Sequence, residues 1–403
     1  MAVFQLPPDA LRVGEPTLFA LRDRSGFLLI PRGTLVATEA QRQQLAARDL
    51  YVDSQDSEAL KRAMAGKLDS MVRQNALIGA LAEARPSTVD VNGVATTTVR
   101  RLDDASGAWS SLHLRTSTLL RDTNQPDFEP RLMRVQTTLL ELLDSDADAA
   151  LLLLVHKATH ETHEYSVSHA LLVAVVCELA ARRIPGWRDE WRPSLRCAAL
   201  TMNVAMTQLQ NLLATQETPV SAAQRAQIDQ HPKSGAASLR ATGVKDELWL
   251  GAVARHHDSP AGPLESLPAD QQLARLIQRA DIFAARLSPR NRRAPMSATA
   301  AAKAAYLDEN QKPDEAGSAI IKATGLYPPG SFVRLRNGEV AVVLRRGQRA
   351  NGPSVASIVN AQGNAIAEPA VRNTRLTAFE VTGGVPTHEV KVRLNLERLL
   401  KLG

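Results

Sequence analysis

The sequence predicts a mainly α-helical protein, a helical bundle flanked by a small α/β module on its N-terminal side and a β-hairpin-rich tail. Three observations predict it. Ala and Leu, both strong helix formers, run thick from about Leu112 to Thr324. Through that stretch apolar residues recur at three- and four-residue steps, as in Leu171, Ala174, Val175 and Leu179. The texture then changes: Phe332-Val333-Arg334-Leu335 and Val340-Ala341-Val342-Val343-Leu344 flank an Asn337-Gly338 turn, a strong hairpin signal.

Taken in order, Phe27–Ile30 predicts a short strand, closed by the turn Pro31-Arg32-Gly33. Thr38 can cap a helix from Glu39 to Arg48, and Tyr51-Val52 predicts a return strand. A helix over Ser57–Glu83 completes an accessory module, 1–84. Residues 85–108, rich in Pro, Ser, Thr, Asp and Gly, predict a linker. The helical domain, 109–325, is broken at Pro185-Gly186, Thr218-Pro219 and Ser259 to Pro268. The tail, 326–403, holds the hairpin and further strand-like pieces at Ser357–Val359 and Val390–Leu394.

At 403 residues the chain is long enough for two or three domains, and 44% hydrophobic with 22% charged residues is ordinary for a globular protein. The formal net charge of +6 is dispersed, with short clusters at Arg290, Arg292, Arg293 and at Arg345, Arg346, Arg349. With no polybasic arm and no nucleic-acid motif, nucleic acid is not expected as a partner. Cys177 and Cys197 sit in apolar helical patterns and predict reduced packing residues. The opening residues lack a basic segment followed by an apolar core, so no signal peptide is expected. The run Ala149–Val155 is too short to span a bilayer. A cytoplasmic protein without a membrane segment is the expectation.

Helical bundles build metal sites from histidines and carboxylates brought inward from several helices. Tyr165-Ser166-Val167-Ser168-His169 opens one helix, and His231-Pro232-Lys233-Ser234-Gly235 starts another. His256-His257-Asp258 ends a third, and Ala280-Asp281 lies within a fourth. Leu326-Tyr327-Pro328-Pro329-Gly330 leads into the hairpin. In this order the five contexts resemble the HD-GYP family of cyclic di-GMP phosphodiesterases, a branch of the HD metal-dependent phosphohydrolases. That family carries Tyr-Thr-x-x-His, His-Pro-x-x-Gly, His-His-Glu, a helical Ala-Asp and Leu-Tyr-Pro-Pro-Gly. The resemblance covers about Asp144 to Leu344 and implies an HD-type helical bundle with a binuclear metal centre.

The departures concern the chemistry. Where the family has its His-Asp doublet and lysine, Met202 aligns with the ligand His, Asn203 with the bridging Asp and Met206 with the lysine. After His257 the chain runs Asp258-Ser259-Pro260-Ala261-Gly262-Pro263, without Gly-Tyr-Pro. By resemblance, His169, Asp281 and the doublet would hold one metal, and His231, His256, His257 and the bridge the other. A neutral amide removes a negative charge from between two cations, and a thioether is a soft ligand unsuited to hard metals. Methionine cannot stabilise phosphate charge as lysine does. The resemblance therefore implies no working catalytic residues. It leaves a residual metal site at His169, His231, His256, His257 and Asp281, taking one divalent ion (Zn, Fe or Mn) or none.

The resulting expectation is a catalytically impaired signalling protein in cyclic di-GMP signalling. It would act through a protein partner in a bacterial signalling system or through a bound cyclic dinucleotide. The alternative is an active phosphohydrolase with an altered metal site. Plainer roles stand beside the metal roles: His169 as a buried hydrogen-bonded histidine, and Asp281 as a cap or a partner for a nearby arginine. His156, His160 and His163, spaced at four and three, predict one solvated helix face, with a metal clip as the alternative. Asp258 is expected on a surface loop, and Tyr327 with Pro328-Pro329 in packing and turns.

Overall fold

Near the N-terminus, short apolar runs separated by turn residues form small strands, with a short helix among the described residues. The structure, a computed structural model, describes residues 3–6, 11–15, 17, 19–22, 28–30, 34–36, 38–46, 50–53, 100–101, 105–289, 295–349 and 352–403. The chain forms two compact units, Met1–Ser111 and Leu112–Gly403. In the first, β1 (Val3–Gln5), β2 (Leu21–Arg22), β3 (Leu28–Ile30) and β5 (Tyr51–Asp53) pair antiparallel in the order β1-β5-β2-β3. β4 (Thr34–Leu35) pairs parallel with β6 (Arg100–Arg101), and α1 spans Glu39–Ala46. Leu21, Ile30, Leu45, Leu50 and Val52 are buried as its core. The strand at Ile30, the helix from Glu39 and the return strand at Tyr51 match the sequence expectation. The turn Pro31-Arg32-Gly33, the helix expected over Ser57–Glu83 and much of the expected linker lie outside the described residues. Of that linker, Arg100–Arg101 is strand, and residues 105–108 already belong to helix α2 (Ala105–Arg121).

The second unit is helical from the rest of α2 onward. α3 (Phe128–Ser145), α4 (Ala147–His160), α5 (Tyr165–Ala181) and α6 (Arg192–Thr201) are followed by α7 (Thr207–Thr215), α8 (Ala222–Ala241) and α9 (Glu247–Arg255). α10 (Ala269–Leu287), α11 (Ala298–Tyr306) and α12 (Glu315–Thr324) complete the helices before the tail. Starts are written into the sequence: Asp146, Asp246 and Asp314 cap α4, α9 and α12, and Ser221 with Gln224 forms a capping box on α8.

α5 organises the bundle. It is apolar all round, every residue from Tyr165 to Ala181 is buried, and α4, α6, α7, α10 and α12 pack around it. Its one acidic residue, Glu178, is fully buried and accepts bonds from Arg182 Nε at 2.9 Å, Arg196 Nη1 at 2.7 Å and Arg192 Nε at 2.9 Å. Burial alone would raise its pKa, but the guanidiniums of Arg192, Arg196 and Arg182 outweigh it and hold the carboxyl below its ordinary value.

The tail belongs to the same unit. β7 (Phe332–Leu335), β8 (Val340–Arg345), β9 (Ser354–Val359), β10 (Ala365–Arg372) and β11 (Val381–Val385) make an antiparallel sheet in the order β10-β9-β8-β7-β11. β8 is buried on both faces. Val340, Val342 and Leu344 pack with Leu152 of α4 on one, and Ala341 and Val343 pack with Tyr327 on the other. Arg345 and Arg346 tie the sheet to Asp146 and Asp148 at the start of α4, at 2.6 Å and 2.5 Å. The strand expected at Val390–Leu394 is absent. That segment is extended without ladder partners, and Val390, Val392 and Leu394 pack on the sheet core before α13 (Leu396–Leu402). Alternation there marks burial of one side, not pairing. β10 and β11 escaped the sequence reading because Pro369 and Gly383-Gly384 weaken the strand signal. Among the described residues no helix is long and apolar enough to cross a membrane.

Gly330 is the close joint between tail and bundle. Its φ is +87°, and a Cβ there would lie 2.6 Å from the Leu152 carbonyl oxygen on α4. Gly330→Ala is therefore expected to destabilise the protein by about 2 kcal/mol or more, since strain and backbone overlap add. A loss of unfolding free energy below about 0.5 kcal/mol in urea titrations would contradict this packing.

Candidate metal centre

α8 carries His231 in its interior, not at its start as the sequence reading placed it, because Pro232 is accommodated inside the helix. Proline has no N–H, so the carbonyl of Ile228, four residues back, loses its helical donor. His231 Nδ1 fills that vacancy, donating to Ile228 O at 2.5 Å. This fixes the tautomer: the proton sits on Nδ1 and the Nε2 lone pair points into the bundle. At the end of α9 His256 does the same, its Nδ1 donating to Val253 O at 2.7 Å.

The two bare Nε2 atoms then face each other at 3.1 Å. A proton between them is disfavoured, since burial lowers the pKa of His231 and carries that of His256 down to about 3. His257 is solvent-exposed and completes the group: one nitrogen from each of the three rings falls within 4.8 Å of the others.

His169, near the start of α5, donates from Nε2 to Asp281 Oδ1 of α10 at 2.6 Å, and its Nδ1 meets the Tyr165 hydroxyl at 3.3 Å. Asp281 thus pairs with a histidine, and the arginine partner expected from sequence is not its partner. Arg279, the nearest in sequence, serves Glu309 and the Leu307 carbonyl. Burial pushes the Asp281 pKa up, but His169, with His257 and His256 close behind, holds it well below the carboxylate range. The five residues from four helices therefore converge on one region.

Met202 follows directly on α6 and is buried, as is Met206, and Asn203 between them is partly exposed. This segment turns on α8: a Cβ on Gly235 would be 3.4 Å from Val204 and 3.8 Å from the Met202 carbonyl. Gly235 is one helical turn beyond His231, so the Met202 backbone meets α8 about one turn from that residue. The donor set fits one ion of the zinc class, three neutral imidazoles with an open position. The neighbouring Met202–Asn203 segment adds a thioether and an amide, and no carboxylate.

The remaining expectations divide. His156 and His160 share α4 with ring centroids 3.9 Å apart, but α4 ends at His160, and His163 sits in the turn after it. One helix face for all three is thus corrected: the chain leaves helical geometry at Glu161 (φ −117°, ψ 131°). Asp258 is exposed on a loop, and Tyr327 and both prolines are buried in packing. The sequence reading missed Glu164, which is buried in the left-handed region (φ 49°) before α5. It accepts from Ser117 of α2 at 2.5 Å and pairs with Arg121, while His113 reaches Ser168 at 3.1 Å, beside His169. Partners 43 to 55 residues apart leave no local signal.

No family model and no curated protein matches this chain. A solved structure, that of an HDG"Y"P protein from Bdellovibrio bacteriovorus, is similar with a TM-score of 0.47 and 13% identity, over 80% of this chain and 99% of that one.

His156 should make stability fall in mild acid. Its Nδ1 is covered and has no hydrogen-bond partner among the described residues, and burial, with His160 and Lys157 near, lowers its pKa to about 3. An unfolded histidine titrates near 6.5, so only the unfolded state takes up this proton between about pH 6.5 and 3. The contribution is complete above that window and is lost as pH falls through it, at up to about 1.4 kcal/mol per unit. Urea midpoints at pH 7, 6 and 5 should show a shallower acid slope for His156→Gln than for the wild type; equal slopes would refute the assignment.

Proposed function

We propose that this protein is a catalytically impaired, HD-GYP-like signalling protein with a residual one-ion site at His231, His256 and His257. On this reading it works in the cytoplasm through a protein partner or a bound cyclic dinucleotide in cyclic di-GMP signalling. The observation that carries it is a contrast within one site. Two imidazoles turn bare lone pairs on each other at 3.1 Å, and the Met202 carbonyl lies against the same helix, in the segment that the resemblance aligns with the family's doublet.

A divalent ion held there would supply Lewis acidity toward a bound water or phosphate oxygen. The chain's own residues restrict the chemistry to that. Ile228 and Val253 keep His231 and His256 in the ligating tautomer. Asp281 accepts from His169, and the Met202–Asn203 segment offers no carboxylate to bridge a second ion. Met206, buried where the resemblance places a lysine, offers no charge to a phosphate.

Purified protein supplied with Mn or Fe is expected to leave cyclic di-GMP intact and to retain at most one equivalent of metal, lost in the double variant His256→Ala, His257→Ala. Turnover abolished by that variant would establish the active-phosphohydrolase reading instead, as would two bound equivalents.

The Met202→His, Asn203→Asp double variant tests the loss directly. Without metal it should cost about 1–3 kcal/mol, because poorly satisfied polar groups enter a space filled by a thioether. With Zn or Mn it should recover part of that loss, raising its melting midpoint more than the wild type's. Equal shifts would mean that the doublet is not what the site lacks.

A further inference from the structure

We infer that a cleft at the opposite end of α5 from the histidines binds a planar, phosphate-bearing ligand of the nucleotide class. The cleft, about 560 Å³, lies among the α5–α6 connection, α10 and α12. That volume falls in the range of small-molecule sites. His169 stands near the start of α5 and Arg183 just past its end, so at 1.5 Å per residue the two sites are roughly 20 Å apart.

Two of the chain's four tryptophans line the cleft. Trp187 and Trp191 meet edge to face, centroids 5.8 Å apart and planes at 83°, and the Arg188 guanidinium lies 5.2 Å from the Trp191 centroid. Arg188 covers one face of Trp191 and lies 3.9 Å from Glu190, so an incoming heteroaromatic ring would stack on the remaining indole surface of the corner, beside that cation. The Trp187 indole N–H is covered and has no acceptor among the described residues, so a small ring rotation toward a ligand oxygen would gain a hydrogen bond without losing one. Buried Leu264 and Ala319 lie behind.

The rim supplies the charge. Arg183 and Lys322 are exposed and form no ion pair among the described residues, unlike neighbouring Arg182 and Arg192, which are committed to Glu178. Of the two acids at the cleft, Glu315 is occupied by the Leu264 backbone N–H, and Glu265 is exposed. Aromatic face, donors and unpaired cations together match a base joined to a phosphate better than either part alone. This proposal stands apart from the metal-site reading, because no residue is shared.

GMP is a suitable probe, followed by tryptophan emission and calorimetry on the full chain. Saturable quenching is expected, with guanosine and tripolyphosphate each binding at least roughly tenfold more weakly. The double variant Arg183→Gln, Lys322→Gln should weaken GMP by roughly tenfold or more and reduce its salt dependence. Trp191→Leu should remove most of the quenching, and if that variant melts early, the two exposed charge changes decide. His231→Ala should leave GMP binding unchanged. The proposal is overturned if GMP does not saturate at millimolar concentration, if guanosine or tripolyphosphate binds as well as GMP, or if His231→Ala removes binding while the cleft variants keep it.

Discussion

The complete burial of α5 is the constraint from which the second unit is built. A helix with no exposed face must be covered on every side, and five helices meet that requirement. Glu178 is the cost of that arrangement, a carboxylate taken wholly out of water. Three arginines, from the end of α5 and from α6, neutralise it. Removing Glu178 would leave the buried Arg196 guanidinium without its charge partner, a loss that typically costs about 3–5 kcal/mol.

At its two ends α5 presents different chemistry for the same reason. Near its start, the Glu164 cluster joins α2 to α5 beside His169, and His169 in turn reaches α10. Past its end, the chain must turn back without burying charge, and it does so through a loop of tryptophans and arginines. α10 spans both places, with Gln272 at the cleft and Asp281 at the histidine site.

The imidazole group shows how a backbone defect can set side-chain chemistry. Pro232 removes one helical donor, His231 takes the vacated carbonyl, and the other ring nitrogen is left as a ligand. His256 reaches the same state through a helix-terminal carbonyl. Met202 is buried and Asn203 is a neutral amide, so that segment brings no acid to the imidazoles.

Local chemistry was legible in the sequence. The helical character of the Ala- and Leu-rich stretch and the hairpin around Asn337-Gly338 depend on neighbours within a few residues. So does each of the short motifs carrying His169, His231, His256 with His257, and Asp281. Tertiary structure decided the rest. Whether Asp281 meets a histidine or an arginine, that Glu164 and Glu178 collect partners from other helices, and that Val390–Leu394 packs without pairing all depend on groups distant in the chain. Periodicity reports which side of a segment avoids water, but it cannot report what waits on that side, because a buried charge is satisfied by whichever partner the packing of other helices brings within about 3 Å.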